Sequence, residues 1–182
     1  MAVDLVPAAV QLVLTCLCEA VNTAPHPPAE CCLRQGSGGP LMDFSATVDK
    51  CCEGLAYVGV GDMWPVGTGG FPSQDIVRQA DGCSPTSWAV EVRVGILRCA
   101  PVGTDTEPPT CAEYTAATVQ AMYDAQSIRR AVCCAFSVLK SDPQMLGMGV
   151  VIGRLQSPGP QGGCSDQWLQ LQFEVPAVCD GC

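Results

Sequence analysis

Met148-Gly-Val-Val-Ile-Gly-Arg-Leu155, followed by Gln156-Ser-Pro-Gly-Pro-Gln-Gly-Gly-Cys-Ser-Asp166 and then Trp168-Leu-Gln-Leu-Gln-Phe-Glu-Val175, is the stretch whose reading decides the fold. The first part is a short apolar run, and the second is too rich in Pro and Gly for regular structure. The third alternates strictly. Leu169, Leu171, Phe173 and Val175 share one face, and Trp168, Gln170, Gln172 and Glu174 share the other. Two such strands around a Pro/Gly loop form an antiparallel hairpin, and the apolar face needs a helix layer or a second sheet to cover it.

Upstream, Trp88 to Cys99 reads as a second strong strand, with Trp88, Val90, Val92, Val94 and Ile96 on one face and Glu91 and Arg93 on the other. Leu55 to Val60 reads as a shorter strand that opens into a Gly-rich loop, Gly61 to Pro72, carrying Trp64 and Phe71. Thr110-Cys-Ala-Glu113 is a capping box, in which Thr and Glu satisfy each other's backbone donors. The helix behind it is predicted to run to about Phe136, with Tyr114, Ala117, Ala121, Ala125, Ile128, Val132 and Ala135 inward. Asp124-Ala-Gln-Ser127 would suit a second cap and marks a place where it can break. Another helix is predicted over Leu5 to Asn22, with Asp4 as N-cap and Val6, Val10, Val13, Leu14, Leu17 and Val21 in one stripe. The prolines of Thr23-Ala-Pro-His-Pro-Pro28 stop it. From about 24 to 54 the chain reads as a long irregular segment, and 61–87 as a second long loop. The expectation for 1–182 is a single α+β domain: an antiparallel sheet with two main helices packed on one side, long irregular loops and a closing hairpin.

Composition excludes several function classes. The formal net charge is −9, and the nine basic residues are scattered apart from Arg129-Arg130, which argues against a phosphate-gripping surface. Leu5 to Leu17 is apolar enough to imitate the core of an export leader, and Val13-Leu-Thr-Cys16 faintly resembles a lipoprotein box. However, the first fifteen residues contain no Lys or Arg, and Gln11, Thr15 and Glu19 draw a polar stripe. An amphipathic helix is expected there, not a leader, and no uninterrupted apolar run approaches the roughly 18 to 20 residues of a membrane span.

Fourteen cysteines are the loudest compositional feature. An even, large count suggests a disulfide framework, whereas several cysteines fall on predicted helix faces where Cys acts as a small hydrophobe. The expectation is mixed: buried free thiols in the helices and a few bridges among the loops. No metal ligand set is predicted. Cys179-Asp-Gly-Cys182 is the only C-x-x-C, His26 is the only histidine, and adjacent pairs such as Cys51-Cys52 rarely chelate one ion together. A catalytic triad lacks its base, and Gly59-Val-Gly61 and Gly67-Thr-Gly-Gly70 lack the Lys-Ser/Thr ending of a phosphate loop. No catalytic residue and no cofactor is expected, so the chain reads as a non-enzyme. Trp64, Phe71 and Trp168, with Pro158, Gly159 and Pro160 in the hairpin loop, are the interface candidates, since aromatics anchor protein contacts.

The order of elements resembles the tail terminator proteins of long-tailed bacteriophages. The residues that carry the likeness are the N-terminal helix, Trp88-Ala-Val-Glu-Val-Arg-Val94, Ala121-Met-Tyr-Asp-Ala-Gln-Ser-Ile128 and Trp168-Leu-Gln-Leu-Gln-Phe-Glu-Val175. The Cys- and Gly-rich composition with few lysines is closest to versions from phages of actinobacteria. The resemblance implies a structural virion protein at the head-tail junction, assembled in the host bacterial cytoplasm. It implies a ring, usually a hexamer, that caps the tail tube and meets the stopper or connector protein. DNA would pass through its lumen without specific binding, and no membrane is involved. The long 24–54 segment and the cysteine load depart from the family pattern. Two other classes stay open: a neighbouring head-to-tail connector or stopper, and a secreted disulfide-linked or metal-binding Cys-rich protein.

Overall fold

The alternating segments form the middle of a six-stranded mixed sheet in the computed structural model, which describes residues 5–36, 48–66, 70–72, 87–103, 107–141, 149–161 and 163–176. In chain order the elements are α1 (Leu5–Asn22), β1 (Glu30–Gln35), α2 (Val48–Glu53), β2 (Leu55–Pro65) and β3 (Ser87–Cys99). They continue with α3 (Cys111–Ser141), β4 (Val150–Gln156), β5 (Pro160–Gln161) and β6 (Cys164–Pro176). Across the sheet the order is β1-β2-β3-β6-β4, with β5 attached to β6. The pairings among β2, β3, β6 and β4 are antiparallel, whereas β1 runs parallel to β2 at one edge.

The period-2 patterns decide which side of the sheet each residue serves. β3 and β6 pair without interruption from Ser87↔Pro176 to Cys99↔Cys164. Val90, Val92 and Val94 therefore lie opposite Phe173, Leu171 and Leu169, and with Ile96 and Val175 they make one buried face. α1 and α3 cover that face. α1 contributes Ala9, Val10, Val13, Cys16, Leu17 and Val21, and α3 contributes Ile128, Ala131, Val132, Ala135 and Leu139. By length and mean hydropathy (1.6 over 18 residues) α1 would pass as a membrane span, but here its stripe fills the core. The capping box forms as read: Thr110 N donates to Glu113 Oε2 at 2.7 Å and Glu113 N donates to Thr110 Oγ1 at 3.3 Å.

Several expectations need correction. The 24–54 segment is not wholly irregular, since it holds β1 and α2. β1 has a single branched aliphatic, Leu33, and forms by pairing with β2 and by the Cys18–Cys31 disulfide, not by its own pattern. β2 continues past Val60 through a bulge to Pro65, so part of the expected loop is strand. Residues 67–69 and 73–86 lie outside the described residues. α3 does not break at Asp124 and extends to Ser141, because that carboxylate is buried and held by Arg98 instead of capping a new helix. Tyr114, expected inward, is about half exposed, as the first turns of α3 project beyond the sheet.

Most of the helix cysteines are bonded and not buried free thiols, and the two that stay free in α3, Cys111 and Cys133, are exposed. Cys16 of α1 and Cys134 of α3 face each other across the helix interface and are bonded, as are Cys18–Cys31, Cys51–Cys164 and Cys52–Cys99. Among the described residues Cys32, Cys111 and Cys133 are unbonded, and burial pushes the Cys32 thiol up from its ordinary pKa. Cys83, Cys179 and Cys182 lie outside the described residues.

Candidate functional site

The face of the sheet opposite the long helices divides in two. Toward the Cys99↔Cys164 end a small second core forms from Cys51, Leu55, Tyr57, Leu97 and Cys164, with α2 laid over it. Within it the Tyr57 hydroxyl donates to the Asp166 carboxylate, 2.9 Å from Oδ2 and 3.0 Å from Oδ1. Tyr57 reaches that position because Gly95, directly opposite it on β3, has no side chain; a Cβ there would meet the phenol ring. Burial raises the Asp166 pKa to about 6, opposed by the Tyr57 hydrogen bond and the Arg93 charge. Burial and the neighbouring carboxylate push the Tyr57 hydroxyl well above its usual range, so it stays a donor.

Toward the other end the same face carries a polar ladder. Glu91 Oε2 accepts from Gln170 Nε2 at 2.6 Å and from Gln172 Nε2 at 3.1 Å. The Arg93 guanidinium lies 3.8 Å from the centre of the Trp168 ring. Ser87 donates to Glu174, whose other oxygen accepts from Gly149 N at 3.2 Å. Apart from Ser87, which is buried, these residues are half-buried, and each charge is met by a partner. The ladder fixes strand register and offers no nucleophile or base aimed at open space.

The sheet edge at β4 is different. All of β4 after Val150 is exposed, and Val151, Ile152 and Leu155 keep 37%, 50% and 38% of their surface. A bulge between Ile152 and Leu155 bends the strand where Gly153 crosses the backbone of Gln170. Among the described residues no further strand pairs with β4, and an open edge bearing three branched aliphatics is what monomeric proteins avoid. A second exposed apolar set, Val119, Met122 and Tyr123, lies on the projecting part of α3.

The six interface candidates do not form one site. Pro158, Gly159 and Pro160 make the hairpin tip, with Gly159 at φ +87° and both prolines exposed. Trp168 sits in mid-strand under Arg93. Trp64 lies opposite Ala89 near the far end of β2, half-buried. Phe71 packs on the backbone of Gly149 at the base of the hairpin, where a Cβ would collide with its ring. Trp168 and Phe71 thus pack within the domain, Trp64 is half-buried, and the β4 aliphatics were not among the candidates.

Sequence reasoning also missed a cluster of four cysteines. Cys51 and Cys52 lie on α2, while Cys99 ends β3 and Cys164 begins β6 directly opposite it. Their only sequence signal is that Cys99 and Cys164 close two strands of equal length. A third group, Arg98–Asp124, is a bidentate pair at 2.9 and 3.0 Å joining β3 to α3. It is extended by Gln120 Nε2 on Asp124 and by Arg98 Nη2 on the His26 carbonyl. No protein-family profile and no curated protein matches the chain.

Proposed function

We propose that this chain is the subunit of a ring at the head-tail junction of a long-tailed bacteriophage, in the tail terminator position. The single observation that carries the reading is β4, an open sheet edge that leaves Val151, Ile152 and Leu155 exposed. Such an edge suits pairing with a neighbouring subunit, and a heterologous contact that closes by rotation makes a ring. The element order supports it: helix, strands, second helix and closing hairpin, with both long helices on one face of the sheet. A net charge of −9 per subunit suits a lumen through which DNA slides without adhering. The ring would be hexameric, as is usual in the family it resembles, and would contact the tail tube protein and the stopper or connector.

The four disulfides favour a second reading, an exported Cys-rich protein, since bridges persist in oxidising surroundings. They suit equally a virion protein that spends most of its existence outside a cell. A stopper, for which a more barrel-like run of strands is expected, suits the layered arrangement less.

Native mass spectrometry of the chain, alone and with the tube protein of the same virus, separates these readings. The ring predicts several copies per complex, and Val151→Lys with Ile152→Glu returns a folded monomer that no longer caps tubes. A wild-type chain that stays monomeric and binds tube ends as one copy, or a double variant that still caps, overturns it.

A further inference from the structure

The four cysteines beneath α2 do more than supply two bridges. The sulfurs of Cys51, Cys52 and Cys99 lie within 4.8 Å of one another, and Cys164 joins the cluster through its bond to Cys51. Cys52 and Cys51 are sequence neighbours, a spacing that normally sends two side chains apart on a helix. Here both reach sulfurs on the ends of paired strands. Four thiolates around one Zn2+ at about 2.3 Å stand about 3.8 Å from each other, so opening the Cys52–Cys99 and Cys51–Cys164 bonds must let each bonded pair of sulfurs move apart to that spacing.

The surroundings fit a structural metal. Cys51 and Cys164 are buried against Leu55, Tyr57 and Leu97, whereas Cys52 and Cys99 are exposed and leave an entry path. α2 has six residues, too few to hold itself as a helix in water, and the contacts that seat it run to β3 and β6 through this cluster. In a reducing cytoplasm the two bridges would be open thiols. We infer that the reduced chain binds one soft divalent cation, Zn2+, through Cys51, Cys52, Cys99 and Cys164. The same four residues close as two disulfides when the protein is oxidised. Soft thiolate donors and a closed four-cysteine set select zinc over hard cations.

The exchange balances. Two low-molecular-weight disulfides RSSR take four electrons from the four thiolates. The Cys51–Cys164 and Cys52–Cys99 bonds form, Zn2+ leaves, and four RS− are released. The inference does not rest on the ring reading, because metal content is measured on the isolated chain.

The test uses the full chain, reduced with a phosphine, loaded with Zn2+ and desalted, with zinc and protein quantified by mass spectrometry. About one zinc per chain is expected. It should be lost in Cys52→Ser with Cys99→Ser and retained in Cys179→Ser with Cys182→Ser. Oxidised glutathione should release it to a chromogenic chelator as four thiols disappear from alkylation counts. Should the first double variant fail to fold, Co2+ loaded into the wild type reports instead, with the charge-transfer and visible bands of a tetrahedral four-thiolate site. Absence of retained zinc, retention unchanged by Cys52→Ser with Cys99→Ser, loss on removing the tail pair alone, or a Co2+ spectrum of fewer thiolates would each overturn the inference.

Discussion

Replacing Asp166 by Asn should make the protein relatively more stable as pH rises, the reverse of what losing a carboxylate usually does. The Asp166 side chain is buried beside Tyr57 in the second core, and burial raises its pKa to about 6 from its ordinary 3.8. A raised folded-state pKa means that the native protein binds the proton more tightly than the unfolded chain. The group therefore favours folding fully below about pH 4. That contribution declines through about pH 4 to 6, and above this window the ionised form carries the whole penalty. A shift of about two units corresponds to about 3 kcal/mol. Asn keeps an acceptor for the Tyr57 hydroxyl and removes the charge, so the difference between variant and wild type isolates this group from the other titrating residues. Urea unfolding at constant ionic strength, with disulfides intact, should show the difference moving by about 2 to 3 kcal/mol in favour of Asp166→Asn between pH 4 and 7, then levelling. A difference that stays flat, or moves against the variant as pH rises, would refute the reasoning. It would mean that Tyr57 and Arg93 hold the carboxylate ionised despite its burial.

Arg98→Met should cost about 3 to 5 kcal/mol in the same unfolding assay, because it strands the buried Asp124 carboxylate with only Gln120. Restoring neutrality with Asp124→Asn in the Arg98→Met background should recover part of that loss, and the absence of recovery would deny the pair its role. Phe173→Ala should cost about 3 to 5 kcal/mol, since the ring is fully buried at the centre of the core, and Phe173→Asp should leave no cooperative unfolding transition. On the ring reading, affinity for duplex DNA should be negligible at moderate salt. Tight binding that weakens as salt rises would move weight toward a different neck component.

How much of this was legible in the sequence depends on what held each element in place. β3, β6 and α1 were readable because one face of each is buried, so burial writes a period of two or 3.6 into the chain. β1 was not, because its six residues are held by a parallel neighbour and a disulfide and carry no alternation of their own. The four-cysteine cluster was equally hidden. Its members are spread from Cys51 to Cys164 and meet only because α2 lies across the ends of two paired strands. The hairpin was legible as two antiparallel strands, and only the exposure along its first strand needed the structure. The run around Val150 to Leu155 is as apolar as a core strand, and the fold places it at an open edge with its aliphatics exposed. Val150 packs against the domain's own core, whereas Val151, Ile152 and Leu155 stay exposed. Hydrophobic surface of this kind costs solubility unless something covers it. On the ring reading a neighbouring subunit covers that surface, so β4 is the first place to mutate.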